Sequence, residues 1–116
     1  MVKAFSVPDV LLDKAARETL QWEYFREGIE VSWLYKGTDE NPASAAFLKY
    51  QPGAEVPTHS HPGMEHILVL EGAQQDENGS FPAGSIVVNP TNTVHSVSSP
   101  EGCLVLAIWE KPVAFL

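Results

Sequence analysis

The sequence predicts an all-β domain, two antiparallel sheets packed as a jelly-roll barrel, and three observations carry that prediction. Nine prolines and eight glycines fall mainly in the last two thirds of the 116 residues and cut that region into short segments. Those segments either alternate apolar with polar residues or are rich in β-branched and large apolar side chains, as strands are. At least seven of them follow one another, and only one other stretch has a helical pattern.

That stretch is residues 8–18, PDVLLDKAARE. Pro8 suits a first helical turn, with Val10, Leu11 and Ala15 on one face. The same residues also read as an irregular arm. The expected organisation is one domain over 1–116, with an N-terminal arm or short helix over 1–21 and the barrel over 22–116. From Trp22 the pattern changes. Trp22 and Tyr24, then Val31, Trp33 and Tyr35, alternate with polar neighbours, and Gly28 between them reads as a turn. Ala43 to Tyr50 forms the next strand, closed by Pro52-Gly53. Glu65 to Glu71 follows and ends at Gly72. Asn78-Gly79 is the strongest hairpin signal, because both central positions of a type I′ turn need positive φ. Ser85 to Val88, Val94 to Ser98 and Leu104 to Trp109 complete the set.

Charge narrows the function. Seven basic residues against fifteen acidic ones give a net charge of −8. A polyanion needs a basic surface to release its counterions, so nucleic acid is excluded as a partner, and an anionic membrane surface is disfavoured likewise. No apolar run approaches the roughly 20 residues of a membrane span. The opening MVKAFSVPDV lacks the apolar core of a signal peptide, which makes the cytoplasm the expected location. The single cysteine, Cys103, excludes an internal disulfide and reads as a small buried residue.

Three of the four histidines make a pattern. His59 and His61 form an H-x-H pair, and residues two apart on a strand face the same side. Glu65 follows beyond the turn residues Pro62-Gly63, and His95 lies on a later strand. Three imidazoles and a carboxylate suit a first-row divalent ion (Fe, Zn, Mn, Ni or Cu) with open positions for water or substrate. His66, one residue from Glu65, points to the opposite face. Trp22, Trp33 and Trp109 read as core or subunit interface, and Glu71, at a strand end, as solvent-exposed. Neither a Ser-His-Asp set nor a glycine-rich phosphate loop is present.

Gly53, five residues, His59-Ser60-His61, three residues, Glu65, six residues and Gly72 resemble the first motif of the cupin superfamily at every defining position. Gly84, Pro90 and His95 match the second motif. Asn92 stands where a glycine is expected, and Asn tolerates the left-handed conformation better than most residues. Ser99 stands where an asparagine is expected. More narrowly, HPGMEHILVLEGAQQDENGSFPAGSIVVNP, then His95 and SSPEGC, is similar to the cupin domain of ChrR-type anti-sigma factors. Asp76-Glu77, Pro82-Ala83-Gly84, Asn89-Pro90 and Gly102-Cys103 carry that likeness. Those proteins have an additional N-terminal zinc-binding domain that holds the sigma factor. No counterpart is read in these 116 residues, so anti-sigma activity is not carried over.

The resemblance implies an RmlC-like jelly roll, also called a double-stranded β-helix, with a metal at one end held by His59, His61, Glu65 and His95. In some cupins the glutamate leaves the metal, and Glu65 is then available as a base. The leading expectation is a metal-dependent, dioxygenase-like enzyme acting on a small chelating organic molecule. The alternative is a non-catalytic ligand- or stress-sensing domain acting through a partner protein. The expected partners are a small molecule, as substrate or ligand, and a second copy of the chain, because the aromatic N-terminal third offers apolar surface for a homodimer.

Overall fold

The structure is a computed structural model and describes residues 3–116. Ten strands dominate it: β1 (Glu23–Arg26), β2 (Ile29–Tyr35), β3 (Ser44–Tyr50), β4 (Ala54–Ser60), β5 (Glu65–Asp76), β6 (Gly79–Pro82), β7 (Ile86–Asn89), β8 (Val94–Ser99), β9 (Cys103–Trp109) and β10 (Ala114–Phe115). All pairings are antiparallel. One sheet runs β1-β2-β3-β9-β5-β7, and the other places β5, β8, β4 and β10 side by side with β6 on the outer edge of β5. The twelve-residue β5 belongs to both. Its first half pairs with β7 and β9, and its second half pairs with β6 and touches β8. The sheet therefore closes on itself as the expected jelly-roll barrel.

The crossover sits at a bulge. The β5–β9 register shifts between Val69 and Glu71. Val69 packs in the core between the sheets, and the next two side chains, Leu70 and Glu71, both meet groups on the outside. The inner core gathers Ile29, Val31, Leu48, Ile67, Val69, Val97 and Val105. β3 is buried on both faces, so it reads as a nearly continuous apolar run and not an alternation.

A second cluster lies on the outside of the first sheet. Phe47 and Leu104 meet Val10 of the N-terminal arm there, with Leu20, Trp22 and Leu106 around them. Residues 8–18 are not one helix. Asp9 takes a φ of 64°, which no α-helix tolerates, and the chain turns through residues 8–12 before a single turn, α1 (Lys14–Arg17). Asp13 caps it by accepting the Ala15 amide at 2.9 Å. Of the expected apolar face only Val10 is buried; Leu11 and Ala15 are exposed. The arm is held by Arg17, which is buried, donates to the Val10 carbonyl at 3.0 Å and pairs with Glu71 at 2.7 Å. Glu71 is therefore half-buried and engaged, where the sequence suggested exposure. Phe47 is the keystone of this outer cluster at 1% exposure. Phe47→Ala is expected to cost about 3–5 kcal/mol in urea unfolding, through lost burial and the cavity left behind.

The β5–β6 hairpin forms one residue earlier than expected. Asp76 pairs with Gly79, so the two-residue turn is Glu77-Asn78 and not Asn78-Gly79. Among the described residues only Asp9 and Asn92 have positive φ outside glycine, so Asn78 is not in the type I′ conformation. Asp76 substitutes for that geometry by accepting the Asn78 amide at 2.7 Å.

Candidate metal centre

β4 and β8 are neighbours, and their register sets His59 directly opposite His95. His61 follows β4 by one residue, on the same face as His59, and its amide and carbonyl are tied to Thr93 and Asn92. Asn92 adopts φ 73° in the slot where the motif has glycine, so the loop before β8 keeps its shape. The result is three buried imidazoles with ring centroids 4.6, 4.7 and 5.1 Å apart. One ligand nitrogen from each lies within 4.8 Å of the other two.

The second nitrogen of each ring is already occupied. His59 Nδ1 lies 2.8 Å from the Pro57 carbonyl. His61 Nδ1 faces the Thr93 carbonyl at 3.1 Å and its hydroxyl at 3.0 Å. Thr93 Oγ1 itself donates to the Pro90 carbonyl, so it accepts from His61. His95 Nδ1 meets Asp76 Oδ2 at 3.0 Å. An imidazole that donates from Nδ1 has a lone pair on Nε2. All three lone pairs are thus turned into one space, with His59 Nε2 and His95 Nε2 only 3.0 Å apart. Two facing lone pairs repel unless a proton or a cation lies with them. His61 Nε2 is a buried side-chain atom with no hydrogen-bond partner. It is 3.2 Å from Glu65 Oε1, but without the alignment of a hydrogen bond. A buried orphan nitrogen beside two convergent ones is the donor set of a divalent transition metal, and the residues present fit such an ion.

Glu65 stands beside this group and not within it. Its Oε1 accepts from Asn89 Nδ2 at 2.9 Å, and its Oε2 accepts from Trp109 Nε1 at 2.6 Å. Burial alone would raise the Glu65 carboxyl. The adjacent His61 and the bonds from Asn89 and Trp109 outweigh burial and hold it below its ordinary range. Burial draws His59 below its ordinary value, and the neighbouring His95 adds to this. For His61 burial acts the same way, but the Glu65 carboxylate more than offsets it and leaves the group raised.

Several contributors escaped the sequence reading. Asp76 was visible only as part of a resemblance, and Thr93 not at all. Glu77 accepts the Ser96 amide at 3.1 Å and its hydroxyl at 2.7 Å, which pins the hairpin turn to β8 beside His95. Trp33 and Trp109 are walls of a cavity of about 440 Å3 that also reaches His59, Glu65 and His95. His66 lies on the other face, half-buried. Cys103 is buried, and burial pushes its thiol up to about 11, which fits an inert core residue. Ser99, fully buried, donates to the Ala73 carbonyl at 2.7 Å where the motif has asparagine.

Comparison with known proteins bears on the family and the fold. The model of the ChrR cupin-like domain family matches residues 13–114. Anti-sigma-E factor ChrR of Cereibacter sphaeroides is 33% identical over 112 residues, covering 93% of this chain and 51% of ChrR. The chain thus spans about half the length of that relative. The crystal structure of Rhodobacter sphaeroides SigE in complex with the anti-sigma ChrR superposes with a TM-score of 0.67 at 32% identity, over 79% of this chain and 49% of that one. An acetylacetone dioxygenase from Acinetobacter johnsonii superposes over 100% of this chain and 78% of its own, with a TM-score of 0.77 at 16% identity, which speaks for the fold alone. The SigE complex corrects one expectation. A small molecule and a second copy of the chain do not exhaust the partners of this family, because ChrR forms a protein–protein complex with a sigma factor. Among the described residues no helix is long and apolar enough to cross a membrane.

Proposed function

Because the chain belongs to the ChrR cupin-like domain family, we propose that it is a metal-holding sensory domain whose site is read out through a protein partner. The observation that carries this reading is the convergence of three Nε2 lone pairs, each fixed by an acceptor on Nδ1. His59, His61 and His95 hold the ion. A divalent transition metal there (Fe, Zn, Mn, Ni or Cu) supplies open coordination positions at which a ligand or oxidant attaches. The chain does the rest. Pro57, Thr93 and Asp76 set the tautomers. Asn89 and Trp109 keep Glu65 beside the three nitrogens as a carboxylate.

A physical route from site to surface supports the sensory role over the enzymatic one. β5 carries Glu65 at the site, Asp76 behind His95, and Glu71, which pairs with Arg17 of the outer arm. A partner of the kind ChrR has in SigE would set this work in the cytoplasm. The dioxygenase-like reading, oxidation of a small chelating molecule, rests on a likeness of fold only.

The test has two arms. Elemental analysis of protein purified without a nickel column is expected to give about one equivalent of metal per chain. Iron-loaded protein is expected to show no sustained oxygen uptake with β-dicarbonyl compounds, whereas stripping the metal changes amide-exchange protection in residues 10–20. Turnover with unchanged protection would overturn the sensory reading in favour of the enzyme. Asp76→Asn is expected to weaken zinc affinity about 10–100-fold in competition with a chelating dye, since a neutral partner no longer polarises His95.

A further inference from the structure

The cavity beside the histidines has a charge pattern at odds with the rest of the molecule. The chain has seven basic and fifteen acidic residues, yet the charged residues lining the cavity are Arg26, Lys36 and Glu65. Glu65 is committed to Asn89 and Trp109. Neither Arg26 nor Lys36 has a carboxylate within ion-pair distance among the described residues. Each instead lies over an aromatic ring of the same cavity. The Arg26 guanidinium carbon is 4.9 Å from the centroid of Phe115, and Lys36 Nζ is 5.1 Å from that of Trp33. Lys36 and the adjacent Gly37 are exposed and mark the open side.

The inner wall is apolar, built from Leu48, Val56, Ile67 and Val97. Away from the histidines, two of its polar groups are engaged with each other: Gln74 donates to the Tyr50 hydroxyl at 3.4 Å. A sugar or other polyol would leave the hydroxyls that face this aliphatic wall without partners. A bare phosphate would leave most of the roughly 440 Å3 unfilled. Two unpaired cations at the rim of a low-dielectric pocket attract an anion, and a guanidinium fork matches a carboxylate in shape.

We propose that this cavity binds an apolar organic carboxylate, its head on the Arg26 guanidinium, with Lys36 adding to the positive field of the mouth, and its hydrocarbon body against the aliphatic wall. The inference deepens the sensory reading by naming its ligand class, and it rests on that reading for purpose only. No residue of the head-group contact is one of the three histidines.

Octanoate and 1-octanol are the probes, titrated by calorimetry and by the fluorescence of Trp33 and Trp109, against both chelator-stripped and zinc-loaded protein. Octanoate is expected to bind about tenfold or more tightly than 1-octanol in both forms, and to weaken as salt is raised. Arg26→Gln with Lys36→Gln removes that preference and leaves 1-octanol binding unchanged, whereas Arg26→Lys keeps most of it. Lys36→Gln alone, at an exposed position, reports a partial loss should the double variant fold poorly. Equal binding of the two probes overturns the proposal, as does no octanoate binding at millimolar concentration. A preference that disappears on chelation and survives the double variant also overturns it, because the carboxylate then sits on the metal. Octanoate binding by a protein that takes up no metal would remove the metal reading alone.

Discussion

His61→Ala is expected to weaken metal binding by more than about 100-fold, while far-UV circular dichroism remains that of the intact barrel. Loss of a group that merely orients a metal-ligating histidine costs about 10–100-fold, so loss of a ligand itself exceeds that range. His61 is the apt position for the test because its Nε2 is buried and lacks a hydrogen-bond partner. Truncation removes an unsatisfied polar atom along with the packing of the ring, and the two effects on stability oppose each other. The fold should therefore survive a change that disables the site. Elemental analysis and competition with a chelating dye read the outcome. His66→Ala, on the opposite face of β5, is the control and should leave metal content unchanged. Equal metal loss in the two variants, or none in either, would refute the assignment of the three histidines.

How far the site was legible depends on which regularity each residue obeys. His59 and His61 are two apart on an extended segment, so their common face follows from strand geometry alone. The pairing of His59 with His95 is a matter of register between β4 and β8, and only the motif spacing hinted at it. Asp76 illustrates what local reasoning misses. Strict alternation from Glu65 turns positions 67, 69 and 71 inward and puts Asp76 outside. The bulge after Val69 inverts that parity, so Gln74 and Asp76 face inward and Glu71 faces the arm. One extra residue thus delivers a carboxylate to His95 and a second to Arg17. A bulge leaves little trace in composition, and neither contact was predictable without the pairing. The N-terminal segment left two readings open, helix or arm, for a related reason. Its apolar spacing fits a helix, but Asp9 takes a left-handed φ, and the segment is shaped by Val10 and Arg17 seating on the outer face of the sheet.

Gly72 follows the bulge, and that position is where the fold is expected to be most fragile. Gly72 has φ +70°, and a Cβ added there would lie 2.1 Å from the carbonyl oxygen of Gly102. That oxygen belongs to the backbone next to β9 and accepts the Ala73 amide, so it cannot swing aside as a flexible side chain does. Gly72→Ala should therefore cost about 4 kcal/mol or more, a large share of the 5–15 kcal/mol that holds a typical domain together. Gly53 separates the two contributions. Its φ is +86°, but nothing lies within 4 Å of an added Cβ. Gly53→Ala should cost only the left-handed penalty of about 1–2 kcal/mol. Urea unfolding of the metal-stripped proteins compares them without a ligand's contribution to the native state. A difference of about 2 kcal/mol or more between the variants would show that Gly72 is required by the close passage of β5 across the Gly102 backbone, where the strand leaves one sheet for the other. Equal losses would mean that backbone conformation alone accounts for both glycines, and that the crossover has room the present geometry denies.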